Sequence, residues 1–173
     1  MQAFKRLNNI WKSTTLHTRA KLKLYESNVH SVLLYAAETW GTNCRLESRV
    51  KGVEGRCLRK ILGLWWEQKV INREVWKLAG INDIVQQLKT RRWKCLGHVL
   101  RMKKDRHPYA ALAWAPPEKR GRGRPMGTWR RTIEAEMEEA GKNWNELRWV
   151  AQTGLDRGAL LTVCTALGAK RIE

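Results

Sequence analysis

NCRLESRVKGVEGRCLRKILG, residues 43–63, decides the fold. Leu46, Val50, Val53, Cys57, Leu58, Ile61 and Leu62 recur at three- and four-residue steps. That spacing makes one apolar stripe on a helix and leaves the cations to the opposite face. Asn43 can cap the first turn and Gly63 suits the C-terminal cap. Gly52 and Gly55 weaken the helix by about 1 kcal/mol each. The same periodicity runs outward in both directions. Ser13 or Thr14 can cap a helix carrying Leu16, Ala20, Leu24, Val29, Val32, Leu33 and Ala36, expected to end near Trp40-Gly41. Asn72 opens a short helix that Gly80 closes, and Asn82 or Asp83 starts a longer one. In that longer helix Ile84, Leu88, Leu96 and Val99 or Leu100 face inward, with Arg91, Arg92, Lys94 and Arg101 on the rim. A brief helical turn follows Pro108 toward Trp114, and Pro116-Pro117 stops it. Thr128 can cap a helix reaching Ala140, with Glu134, Glu136, Glu138 and Glu139 on its exposed face and Gly141 closing it. Asn143 begins a final pair, interrupted near Thr153-Gly154. No strand alternation or internal repeat emerges. The expected fold is all-α: an irregular helical bundle of residues 1–114, a basic Gly/Arg/Pro linker at 115–127, and a C-terminal helical hairpin at 128–173.

The chain has 173 residues, 43% of them hydrophobic, enough for one compact domain or two small ones. Its longest apolar run, Val32 to Ala37, is far short of the roughly 20 residues a membrane helix needs. Met1 to Arg6 lacks the apolar core of a secretory signal, so an intracellular chain is expected. Cys44, Cys57, Cys95 and Cys164 lie far apart, without the paired spacing of a disulfide scaffold or zinc ribbon, and reduced thiols are expected.

The formal net charge is +18, and it is unevenly spread. Gln86 to Arg131 holds 14 Lys and Arg against Asp105 and Glu118 alone, whereas residues 132–173 are net −2. Such concentration points to a polyanionic partner. Within it, Lys119-Arg120-Gly121-Arg122-Gly123-Arg124-Pro125 interleaves cations with glycines, a composition that does not pack but can follow a phosphate backbone. Arg91-Arg92-Trp93-Lys94 before it and Trp129-Arg130-Arg131 after it set indole rings beside cations, as base stacking with phosphate contacts would require.

Several of these stretches, taken in order, resemble a known family. They are Leu7-Asn8-Asn9-Ile10-Trp11-Lys12-Ser13, Lys21-Leu22-Lys23-Leu24-Tyr25-Glu26-Ser27, Leu33-Leu34-Tyr35-Ala36-Ala37-Glu38-Thr39-Trp40 and Arg59-Lys60-Ile61-Leu62-Gly63. Arg91-Arg92-Trp93, Gly97-His98-Val99-Leu100-Arg101-Met102, Lys119 to Pro125, Trp129-Arg130-Arg131 and Asp156-Arg157 continue the order. Over nearly the whole chain they look like the region after the polymerase core of non-LTR (LINE-like) retrotransposon reverse transcriptases. The resemblance implies a thumb-like helical segment and C-terminal extension that contact template and primer, from a 5′-truncated copy. It implies no polymerase activity here. Two-metal chemistry in that family uses an Asp-Asp turn, and no Asp-Asp occurs in this sequence. The chain departs from the family pattern at Ala36, where glycine is common, at Leu160-Leu161, where Trp-Arg often follows Asp-Arg, and in an apparent insertion at Thr153-Gly154-Leu155.

Each motif also has a plainer reading. Arg122-Gly123-Arg124-Pro125 matches the core of an AT-hook, which lies in a narrow A·T minor groove, but the hook is short and backbone binding to RNA or DNA fits at least as well; the plainer reading is a solvated basic loop or a nuclear import signal. Of the 10 Trp, Trp11, Trp40, Trp65, Trp66, Trp76, Trp144 and Trp149 are assigned mainly to packing, while Trp93 and Trp129 stand between packing and stacking. Cys95 and His98 have the spacing of two zinc ligands, yet a buried thiol and a hydrogen-bonded or nucleic-acid-facing histidine fit better. Glu138-Glu139 reads as a solvated helix face.

Three functions of different classes follow. The first is a noncatalytic nucleic-acid binder, RNA or DNA, using Arg91, Arg92, Trp93, Arg101, Lys103, Lys104, Lys119, Arg120, Arg122, Arg124, Trp129, Arg130 and Arg131, with no metal, cofactor or catalytic residue and a nuclear location. The second is a thumb-type subunit completing a reverse transcriptase core in trans through the apolar stripes at 32–36 and 53–62. The third is an inert remnant.

Overall fold

The structure, a computed structural model describing residues 2–114 and 128–153, is built from helices, and no strand occurs among the described residues. The elements are α1 (Gln2–Arg6), α2 (Asn8–Lys12), α3 (Thr18–Tyr25), a π-helical turn (Glu26–His30), α4 (Ser31–Leu33), a 3-10 turn (Ala37–Thr39), α5 (Cys44–Leu62), a second 3-10 turn (Trp66–Gln68), α6 (Asn72–Ala79), α7 (Ile84–Leu100), α8 (His107–Ala113), α9 (Trp129–Glu139) and α10 (Trp144–Thr153). The all-α expectation holds.

The punctuation residues act as the sequence predicts. Gly63, Gly80 and Gly141 follow α5, α6 and α9 with φ of +69°, +64° and +64°, the left-handed conformation that ends a helix at little cost to glycine. Asp83 Oδ1 accepts the Val85 amide at 2.9 Å, and Thr128 Oγ1 accepts that of Arg131 at 3.3 Å. Asn143 Oδ1 accepts the Glu146 amide at 2.9 Å. The long helix expected after Ser13 is the exception. It starts at Thr18 after His17, passes through the π-helical turn and stops at Leu33, short of Trp40.

The chain divides into two compact units. Residues 1–37 and 44–88 form the first, and 38–43 with 89–173 the second. The division falls within α7, at Leu88–Lys89; the expected 115–127 linker and the end of the expected hairpin lie outside the described residues.

In the first unit Phe4, Trp11, Tyr25, Val29, Cys57, Leu58, Ile61 and Val75 share one core. The rings of Phe4 and Trp11 stack at 4.9 Å, and Trp11 Nε1 donates to the Phe4 carbonyl at 2.8 Å. The buried Lys21 ammonium donates to the carbonyls of Trp11 (3.1 Å) and Ser13 (2.7 Å), satisfying acceptors that the end of α2 leaves open. Arg59 ties α5 to the start of α6 through Asn72 Oδ1 (2.7 Å) and the Val70 carbonyl (2.8 Å). Gly55 has its reason here. A Cβ on it would lie 2.8 Å from Asn72 Oδ1 and 2.9 Å from Arg59 Nη1, whereas one on Gly52 would meet nothing.

The second unit packs Trp93, Leu96 and Leu100 of α7 against Ile133 and Met137 of α9 and Leu147 and Ala151 of α10. The segment 38–43 joins it by hydrogen bonds. Trp129 Nε1 donates to the Glu38 carbonyl at 2.7 Å, and Thr132 Oγ1 donates to the Thr42 carbonyl at 3.2 Å.

Candidate nucleic-acid interface

A helix advances about 100° per residue, so α7 separates its side chains by position alone. Arg91, Lys94 and His98, with Arg101 just beyond the helix end, fall within one narrow arc, and all four are exposed. Arg92, Trp93, Leu96 and Leu100 fall on the opposite side, and all are buried. The cationic stripe continues past the helix into the exposed Lys103, Lys104 and Arg106. Over this stretch Asp105 is the single acid. Met102, Lys103, Arg106 and Pro108 line an open hollow of about 340 Å³ between the end of α7 and the start of α8.

Two of the predicted contact residues do not belong to this surface. Arg92, placed on the rim by its sequence neighbours, is fully buried, and so is Trp93. The reason is Glu136, itself only 5% exposed, which the sequence had put on a solvated face. Arg92 Nη1 donates to Glu136 Oε1, and Trp93 Nε1 donates to Oε2 of the same carboxylate at 2.8 Å. Arg92 Nη2 adds Thr42 Oγ1 at 2.9 Å and the Trp40 carbonyl at 3.3 Å. Arginine's planar fork suits such multiple capture, and a buried charge is tolerated only when paired in this way. A phosphate cannot reach either residue in this structure.

Of the other predicted contacts, Arg91, Arg101, Lys103, Lys104, Arg130 and Arg131 are exposed, and Trp129 is half-buried with its indole N–H committed to Glu38. Arg130 is occupied by partners on α8, α9 and α10. Its Nε donates to Glu134 at 2.9 Å, Nη1 donates to the Leu112 carbonyl at 3.3 Å, and its guanidinium lies 5.8 Å from the Trp144 ring centre. Lys119, Arg120, Arg122 and Arg124 lie outside the described residues.

The tryptophans also sort differently from expectation. Trp11 packs as predicted and Trp40, Trp76 and Trp144 are half-buried, but Trp65 and Trp149 are largely exposed, as is Trp114. Cys95 is half-buried, with burial and then Glu38 raising its thiol pKa, and His98 is exposed. No group of three or more His, Cys, Asp or Glu side chains suited to a metal occurs among the described residues.

The first unit holds a separate buried polar group that sequence reading missed, since Glu54 there sits within the apolar stripe of α5. Its carboxylate accepts from Trp76 Nε1 at 2.9 Å and from the Ile84 amide at 3.4 Å, with His30 Nε2 at 3.6 Å. Burial, outweighing those hydrogen bonds, pushes its pKa up to about 7. Burial likewise raises the Tyr25 hydroxyl and pushes the Cys57 thiol to about 11.

A family described as Domain of unknown function (DUF6451) matches residues 3–35, which span α1 to α4 and their intervening turns. No curated protein and no solved structure gives a significant match. Among the described residues no helix is long and apolar enough to cross a membrane.

Proposed function

We propose that the chain is a noncatalytic nucleic-acid-binding fragment of a non-LTR retrotransposon reverse transcriptase, contacting the phosphate chain of RNA or DNA without sequence preference, in the nucleus. The observation that carries the binding is the exposed stripe that Arg91 and Lys94 begin on a helix whose other face is anchored in a core, and that Arg101, Lys103, Lys104 and Arg106 continue past its end. Phosphates contacted in this way release counterions, so affinity falls steeply with salt. The Gly/Arg/Pro run at 119–125 adds four cations in the sequence between α8 and α9. Parentage rests on the ordered sequence resemblance. Ala36 adds to it, because glycine is common there in the family and this residue adopts φ +52°, a conformation glycine enters freely.

A salt titration on A·T-rich duplex, G·C-rich duplex and structured RNA tests the binding. Six engaged phosphates give a log–log slope of about −5 on duplex DNA, and a slope near zero refutes the reading. Arg122→Ala with Arg124→Ala separates two uses of the loop. Loss confined to A·T-rich duplex makes it a minor-groove reader, and equal loss on all three makes it a backbone clamp.

A second reading, a thumb-type subunit completing a polymerase core in trans, is favoured by Val32 and Tyr35, which are 63% and 81% exposed. The other stripe proposed for docking does not help it, since Cys57, Leu58 and Ile61 are already buried within the first unit. Failure to restore primer extension to a core lacking its thumb rejects this reading.

A further inference from the structure

We propose that the hollow between α7 and α8 holds one unpaired nucleobase with its adjoining phosphate, so that the ligand of the basic stripe is single-stranded nucleic acid. The inference rests on the nucleic-acid-binding reading above and narrows it. A surface that grips only a duplex backbone needs cations at the phosphate positions and no concavity, because the bases are stacked inside and out of reach. Here the cations lead into one. Its volume, about 340 Å³, lies at the small end of the roughly 300–1,000 Å³ found for small-molecule sites, which suits one base and a phosphate.

The lining has the two chemistries that such a ligand presents. Lys103 offers a compact charge for the phosphate, and Arg106 a flat guanidinium that can stack on a base or take a second phosphate oxygen. Met102 brings a polarizable thioether suited to the edge of an aromatic ring, and Pro108 a rigid apolar wall. Asp105, between the two cations in sequence, does not line the hollow. Arg91, Lys94 and Arg101 lie on the same side of the chain's course, over about 15 Å of helix, and supply the backbone track that leads to it.

Fluorescence anisotropy at low salt decides the matter with three probes: a short oligothymidylate, the same strand made abasic throughout, and a duplex of equal length. The intact strand is expected to bind about fivefold more tightly than the abasic one, the low end of what a single stacked base contributes. Met102→Ala should lower that ratio, and Lys103→Gln should weaken both strands together. The wild-type ratio needs no variant, so a misfolded Met102→Ala protein leaves the test standing. Equal affinity for intact and abasic strands overturns the base site but leaves polyanion binding intact, and so does a duplex that binds tightest. Binding to none of the three overturns both.

Discussion

Glu136→Ala probes the feature that most changes how the basic segment is understood. In the native unit this carboxylate neutralises Arg92 and accepts the Trp93 indole, and both partners are fully buried. Removing it leaves a buried guanidinium without its counter-charge, at about 3–5 kcal/mol for breaking such a pair. The indole N–H also loses its acceptor, at about 1–3 kcal/mol. The two costs overlap because the same cavity admits water to both, so a loss of about 4 kcal/mol is expected. That is a large share of the roughly 5–15 kcal/mol typical of a domain. Urea denaturation followed by helical circular dichroism and tryptophan fluorescence measures it. Arg92→Met combined with Glu136→Gln should recover most of the loss, because the glutamine still accepts from Trp93 and no charge remains buried. The same proteins separate structure from binding. At temperatures where each is folded, salt-dependent affinity for nucleic acid should be unchanged in the double variant, since Arg92 touches no phosphate. A Glu136→Ala loss below about 1 kcal/mol, or a folded double variant with a clearly reduced salt slope, refutes the assignment of Arg92 to the core.

The pH dependence of stability should carry the mark of Glu54. Its folded pKa of about 7 exceeds the ordinary 4.5, so the folded state holds a proton the unfolded chain has released. Its contribution is therefore complete below about pH 4.5, lost as pH rises toward 7, and amounts to at most about 3 kcal/mol. Glu54→Gln keeps an acceptor for Trp76 and removes the titration. Thermal melts of the two proteins should converge near pH 4.5 and separate by pH 8, and parallel curves throughout count against it. Gly52→Ala should stabilise α5 by about 1 kcal/mol, whereas Gly55→Ala should fall short of that gain because its methyl displaces the Arg59–Asn72 contact; equal gains in chemical denaturation would contradict the close approach. Ala36→Gly should stabilise by about 0.5–1 kcal/mol, since relief of a left-handed alanine exceeds the added freedom of the unfolded chain, and a lower Tm argues against the +52° conformation.

The helices were legible because their signals are local. Caps such as Asp83, Thr128 and Asn143, and the glycines that stop α5, α6 and α9, act within one or two turns of themselves. The break after Tyr25 was not legible. The π-helical turn keeps an apolar period running on either side of it, so a pattern count reads straight through. Arg92 was misplaced for a related reason. Composition ranks a cation beside Arg91 and Lys94 as solvent-facing, and only the partner 44 residues away makes its burial affordable. Glu136 gave one clue in hindsight, its place three residues after Ile133 and one before Met137, both core residues of α9.

That exchange sharpens the case for a nucleic-acid surface. Counting every cation between Gln86 and Arg131 treats the segment as a uniform charged ribbon, yet α7 spends Arg92 on the core and holds Lys89, also buried, 3.7 Å from Glu139. Cations that merely solubilise a helix do not need a partner across the fold. These two fix α9 against α7 from the inside, and thereby fix the orientation of the helix that carries Arg91, Lys94 and Arg101 outward. A disordered basic tail would bind polyanions with equal charge but would pay the ordering entropy at each encounter. Held on a packed helix, Arg91 and Lys94 would meet the proposed polyanion already arranged, and the hollow begins just past the end of that helix.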